Sequence, residues 1–168
     1  MRNITKSVAA ILILVTTLST QAKAATPSLT STQQAKLRYL VEEEKLARDV
    51  YSYLLQTSGS QKFRNIARSE QIHMNLVSGI LKTYGVTDPT IGERAGVFSN
   101  SSLAALYRSL TTSGSVDYAG AIAAGVAIEK MDIKDLKADL DSISATHVIQ
   151  VLNILLRGSE NHLAAFTR

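Results

Sequence analysis

Apolar residues recur at helical spacing in four long stretches of the chain. The first stretch spans about 33–56, with Leu37, Leu40, Val41, Ala47, Val50, Tyr51, Leu54 and Leu55 on one stripe. Ser31 or Thr32 is its expected N-cap, and Ser58-Gly59-Ser60 ends it. The second covers about 61–84 through Phe63, Ile66, Ala67, Met74, Val77, Ile80, Leu81 and Tyr84, with Gly85 as a C-cap. The third covers about 117–140 through Ile122, Val126, Ile133, Leu136 and Leu140. The fourth covers about 145–166 through Val148, Val151, Leu152, Leu155 and Phe166. Gly158, inside the fourth, marks a kink or a close approach. No strand-period alternation and no fixed short repeat is present.

Turns within the first and last pairs are short. Residues 85–117 form a long connection with irregular backbone at Asp88-Pro89, Gly92 and Gly96. A short helix, about Ser102 to Leu110, sits inside it, and Thr112-Ser-Gly-Ser115 breaks the chain again. A short turn makes neighbouring helices antiparallel, whereas a long crossover lets the third helix enter parallel to the second. The expected class is all-α, a ferritin-like four-helix bundle with a long crossover carrying a short extra helix.

Polar residues break into these stripes where a leucine would pack better. Glu44 shares a face with Val41 and Tyr51, and Glu43 competes with it by lining up with Leu40, Ala47 and Val50. Glu42 falls further round and is expected to be solvated. Glu70 follows Ile66 and Ala67, and His73 comes three residues later. Glu129 lies between Val126 and Ile133, and His162 between Leu155 and Phe166. Residues three apart on a helix project side by side, so Glu70 and His73 can hold one ion together. An isolated carboxylate is costly to bury. Acids and imidazoles from four helices, aimed at one axis, make sense around a cation. Oxygen ligands with one or two imidazoles suit iron or manganese, with zinc also compatible. The alternative is a metal-free polar core, with Glu129 paired to Lys130, Lys134 or Arg48 and the first-helix acids satisfied by Lys45 or Arg48.

Composition changes this picture in two ways. The chain of 168 residues has no Cys, which excludes disulfides, thiolate zinc sites and cysteine-ligated iron–sulfur centres. Its pI of about 9.4 suggests a nucleic-acid partner until the N-terminus is read. Residues 1–24 have the form of a secretory signal peptide: Arg2 and Lys6, an apolar run from Val8 to Leu18, and Ala22-Lys23-Ala24 before the cleavage point. The run is short for a membrane span, so no retained anchor is expected. Cleavage removes Arg2, Lys6 and Lys23, leaving 15 basic and 14 acidic side chains and a net charge of +1. Nucleic-acid binding loses its support, and a periplasmic or secreted location is expected. Residues 25–32 read as a flexible leader and 33–168 as the bundle.

The motifs carry a resemblance. Glu44-Lys-Leu-Ala-Arg48-Asp-Val-Tyr51 and Ser69-Glu-Gln-Ile-His-Met74 resemble the first two helices of rubrerythrins. A closer resemblance is to an uncharacterised ferritin-like family, a domain of unknown function. It adds Ile128-Glu-Lys-Met-Asp-Ile-Lys-Asp-Leu136 and Gly158-Ser-Glu-Asn-His-Leu-Ala-Ala-Phe166. The resemblance implies metal-ligand roles for Glu44, Glu70, His73, Glu129 and His162. It departs at Ser159, where the superfamily has a carboxylate three residues before the last histidine, and Glu160 should face away. Asp132 either compensates as a ligand or accepts a hydrogen bond from an imidazole. Arg48 is expected to neutralise a carboxylate near the metal, and Tyr51 to donate a hydrogen bond there. The implied cofactor is one or two iron ions, with oxygen or peroxide as the oxidant and oxidase- or peroxidase-type chemistry. The alternatives are a metal-binding bundle without turnover and an apo interaction protein. Assembly into a homo-oligomer stays open.

Overall fold

The structure is a computed structural model that describes residues 28–168. The expected signal peptide and the first three residues of the expected leader, 25–27, lie outside the described residues. Five helices and no strands are present among the described residues: α1 Ser31–Ser58, α2 Gln61–Thr83, α3 Ser101–Gly114, α4 Tyr118–Leu140 and α5 Thr146–Phe166. None of these helices is long and apolar enough to cross a membrane.

Local chemistry sets the helix ends. Thr30, rather than Ser31 or Thr32, caps α1. Its hydroxyl accepts from Gln33 N at 3.2 Å while its own N–H donates to Gln33 Oε1 at 3.0 Å. That reciprocal capping box needs Gln three residues on; Ser31 has one as well, but Gln34 donates its side-chain amide to Leu29 O instead. At the other end Gly59 takes a left-handed φ of 65°, and α2 starts two residues later. Asn100 caps α3 by accepting from Ser102 N and Leu103 N, and Asp117 caps α4 by accepting from Gly120 N.

α3 runs four residues beyond its expected end. Thr112, Ser113 and Gly114 were expected to break the chain. Instead Ser113 donates its hydroxyl to Ser109 O at 3.0 Å, and Gly114 lies so close to Leu54 that a Cβ there would come within 2.9 Å of its Cδ2. Packing against α1 thus overrides weak local propensity.

Around the bundle α1 touches α2, α2 touches α5, α5 touches α4 and α4 touches α1, while α3 packs on α1 and α4. Cross-contacts show that every adjacent pair is antiparallel. Lys36 meets Asp139 and Tyr51 meets Gly125 between α1 and α4; Lys62 meets Ala165 and Glu70 meets His162 between α2 and α5.

Two apolar clusters fill the interior. One holds Leu37, Leu40, Val77, Leu136, Val148 and Leu155. The other holds Leu46, Val50, Tyr51, Phe63, Ile128 and Phe166. Between them lies a layer of buried acids and imidazoles.

Candidate metal centre

Four helices contribute to that layer. Glu44 comes from α1, Glu70 and His73 from α2, Glu129 and Asp132 from α4, and Ser159 and His162 from α5. Each acid and imidazole is buried, with Glu44 and Glu129 1% exposed and Glu70 2%. Their ligand atoms form two compact groups, Glu44–Glu70–His73 and Glu70–Glu129–His162, each with its atoms within 4.8 Å of one another.

Glu70 belongs to both groups. Its Oε2 lies 2.8 Å from His73 Nδ1 and its Oε1 lies 2.8 Å from His162 Nδ1. Both are ion-pair contacts outside hydrogen-bond geometry, so both Nδ1 atoms and Glu70 Oε1 are buried without a hydrogen-bond partner, as are Glu44 Oε1 and Asp132 Oδ1. Glu44 Oε2 stands 3.3 Å from His73 Nδ1, and Glu129 Oε1 stands 3.6 Å from His162 Nδ1. The two imidazole rings stack with centroids 5.5 Å apart. The layout is close to two-fold, a Glu and a His on each side and one shared carboxylate between them.

Neighbouring side chains hold this set in place. Tyr51 donates its hydroxyl to Glu129 Oε1 at 2.6 Å. Ser159 donates to Asp132 Oδ2 and, at 3.0 Å, to Leu155 O. Gly158 is the close approach left open by the sequence: a Cβ there would lie 2.4 Å from His73 Cε1 and Nε2. The missing side chain makes room for the imidazole.

Burial and mutual repulsion dominate the electrostatics. Burial, and then the charge of Asp132, lifts Glu44 well above the usual carboxylate range. Burial lifts Glu129 and Asp132 to about 7. Burial acts in the same direction on Glu70, but the imidazoles of His162 and His73 hold it down to about 2. Burial disfavours charge on the imidazoles as well. Even so, Glu44 and Glu70 raise His73 to about 10, and Glu129 and Glu70 raise His162 to about 9. Without a cation, protons neutralise the layer.

In the metal-free layer the cationic partners of the acids are His73 and His162, not the Lys or Arg side chains that the sequence offered as alternatives. Among the described residues no Lys or Arg nitrogen lies within 4 Å of Glu43, Glu44, Glu70, Glu129 or Asp132. Arg48, expected near the centre, pairs instead with Asp49 at 2.7 Å and donates to Gln71 Oε1. Lys45 is buried against Asp49, Arg94 O and the Phe98 ring.

The structure brings Glu44, Glu70, His73, Glu129, His162 and Asp132 into one layer. Glu43 points to a neighbouring position beside α4. Glu42 is not solvated as its place on the helix suggested. It is 5% exposed and accepts from the backbone N–H groups of Ser99 and Asn100. The role of Ser159, and the identity of the ring that approaches Gly158, were not legible, because each depends on what the facing helix presents. A cleft of about 740 Å³ lined by Met74, Ser78, Val86 and Ile91 contains none of the site acids or imidazoles.

Residues 33–168 match the family model described as "Uncharacterized protein domain (DUF2202)". The chain belongs to this family. It is 41% identical over 127 residues to the uncharacterized protein MJ0754 of Methanocaldococcus jannaschii, covering 76% of this chain and 69% of that protein. The crystal structure of hypothetical protein MJ0754 is similar to this DUF2202 chain with a TM-score of 0.82 and 36% identity, over 86% of this chain and 83% of that one.

Proposed function

We propose that this DUF2202 protein is a ferritin-like metal-binding bundle whose buried layer holds two cations, iron before manganese or zinc, for oxidase- or peroxidase-type chemistry. One observation carries the reading. The two oxygens of Glu70 each approach an imidazole Nδ1 to 2.8 Å without a hydrogen bond. Donor atoms that close and that deeply buried fit ligands converging on ions they share. Glu44, Glu70 and His73 would hold one cation, and Glu70, Glu129 and His162 would hold the other, with Glu70 common to both groups. The oxygen-rich donor set with one imidazole per ion suits iron.

When bound, iron supplies the electrons for reducing oxygen or peroxide. The chain's own residues do the rest. Apolar layers on both sides exclude water, Tyr51 orients Glu129, and Ser159 orients Asp132. Asp132, with one free oxygen beside the ligands, is placed to accept a proton or join the coordination. The chain has no Cys, so its electrons come from free ferrous iron or a separate donor. The signal peptide at 1–24 directs the mature protein to the periplasm or the exterior.

Elemental analysis of natively purified mature protein tests the reading, with up to two iron ions per chain expected. The double variant Glu70→Ala, His73→Ala should lose that metal while staying folded, because it relieves buried charge. A metal content unchanged by the double substitution would remove the assignment. Oxygen consumption on adding ferrous iron, or loss of peroxide, then separates a redox protein from one that only holds metal.

A further inference from the structure

Glu43 is a buried acid of α1 that the centre does not use. It is 3% exposed, its Oε1 has no hydrogen-bond partner, and no basic side chain pairs with it among the described residues. Folding alone disfavours such a group. The antiparallel register of α1 and α4 shows what it faces. Lys36 pairs with Asp139 at 2.6 Å and Tyr51 with Gly125, so Glu43 stands opposite Asp132. On α4, Asp132, Asp135 and Asp139 follow one another at intervals of three and four residues and so share a face.

An opening of about 490 Å³ runs between these two faces. Lys36, Tyr39, Glu43, Asp135, Ala138 and Asp139 line it. Lys36 is tied to Asp139 at the outer end, and inward of it the lining charges are all acidic. Glu43 closes the inner end with its free oxygen. Behind it Asp132 offers Oδ1, also buried and unpartnered, next to the ligand layer. Glu43 and Asp132 do not join any third ligand in a compact group, unlike the two triads of the centre. They suit brief contact with a passing ion rather than permanent residence.

We propose that this opening is the path by which divalent cations reach the centre, with Glu43 as the transfer ligand between Asp135 outside and Asp132 inside. The proposal rests on the reading of the buried layer as a metal centre. Its substrate is the hydrated divalent ion, drawn in by the acidic walls and stripped of water along them.

The test is the rate at which metal-stripped mature protein takes up Co(II) alone, followed by its visible absorption after rapid mixing. Two variants probe the path. Glu43→Gln removes the carboxyl oxygen that takes the passing ion in exchange for its proton, and Ala138→Phe plugs the opening from its exposed wall. Each should slow uptake about tenfold, at the lower end of what a field-focusing cleft supplies, while the final absorbance stays at the native level. Both variants loading as fast as the native chain would place the path elsewhere. A Glu43→Gln protein that loads quickly to a lower final absorbance would make Glu43 a resident ligand and overturn the transfer role. Failure of the native chain to bind Co(II) would remove the centre itself, and the path with it. Retained final absorbance in the Glu70→Ala, His73→Ala protein would separately move the destination.

Discussion

Glu70 shows how one side chain acquires its role. A carboxylate this deeply buried would ordinarily be protonated, yet two imidazoles against its two oxygens hold it ionised at any physiological pH. His73 occupies its place because Gly158 leaves room for the ring. Gly158→Ala should therefore push the imidazole from its position. Such overpacking costs about 1–3 kcal/mol, read from the urea midpoint, and metal content should fall with it. An unchanged midpoint with full metal content would show that the ring is not held there. That Glu70, His73, Glu44, Glu129 and His162 turn into the bundle interior was legible because each interrupts an apolar stripe. Glu42 was misread for a complementary reason. Its angle on the helix points away from the stripe, and only the crossover, returning to lay Ser99 and Asn100 on it, buries it.

The crossover is pinned to α1 by buried polar contacts. Lys45 donates to Arg94 O at 2.8 Å and to Asp49 at 2.6 Å, and Asp49 accepts from Gly96 N at 3.0 Å. Gly96 has a φ of +78°, and a Cβ there would meet the Tyr107 ring at 2.7 Å. Asp49→Asn would leave the Lys45 ammonium buried without its counter-charge. The expected loss is about 3–5 kcal/mol in chemical denaturation, with faster proteolysis within the 85–100 segment. Replacing both members, Lys45→Met with Asp49→Leu, should cost less than the single change. A single variant as stable as the native chain would show that the pair does not anchor the crossover. The periodicity revealed the long helices to within about two residues, as expected where a stripe is sustained. The end of α3 was missed because Leu54, far away in sequence, supports it.

Across the whole molecule, a polar layer divides the core, and its protonation makes stability depend on pH. Glu129 and Asp132 are raised to about 7 and Glu43 to about 10, and His73 and His162 to about 10 and 9. Each group binds its proton more tightly folded than unfolded. Its contribution is complete below the unfolded pKa and is lost as pH rises through the folded value. Glu70 acts oppositely, losing its contribution as pH falls towards about 2. The metal-free protein should therefore melt lower at about pH 9 than at about pH 5, as calorimetry would show. Bound cations replace those protons, so metal uptake should release protons and the melting temperature should depend less on pH. Equal pH profiles with and without metal would mean that the layer takes no cation.

Helix number, helix phase and the presence of ligand-type residues within apolar stripes are properties of local sequence, because a 3.6-residue period sets which side chains share a face. Which acids meet across the bundle was decided only by tertiary structure. Glu44 turned to His73 and Glu43 to α4; Ser159 took up Asp132, and Glu42 the returning crossover. Those choices depend on helix register and on backbone approaching from residues tens of positions away, which no local period encodes.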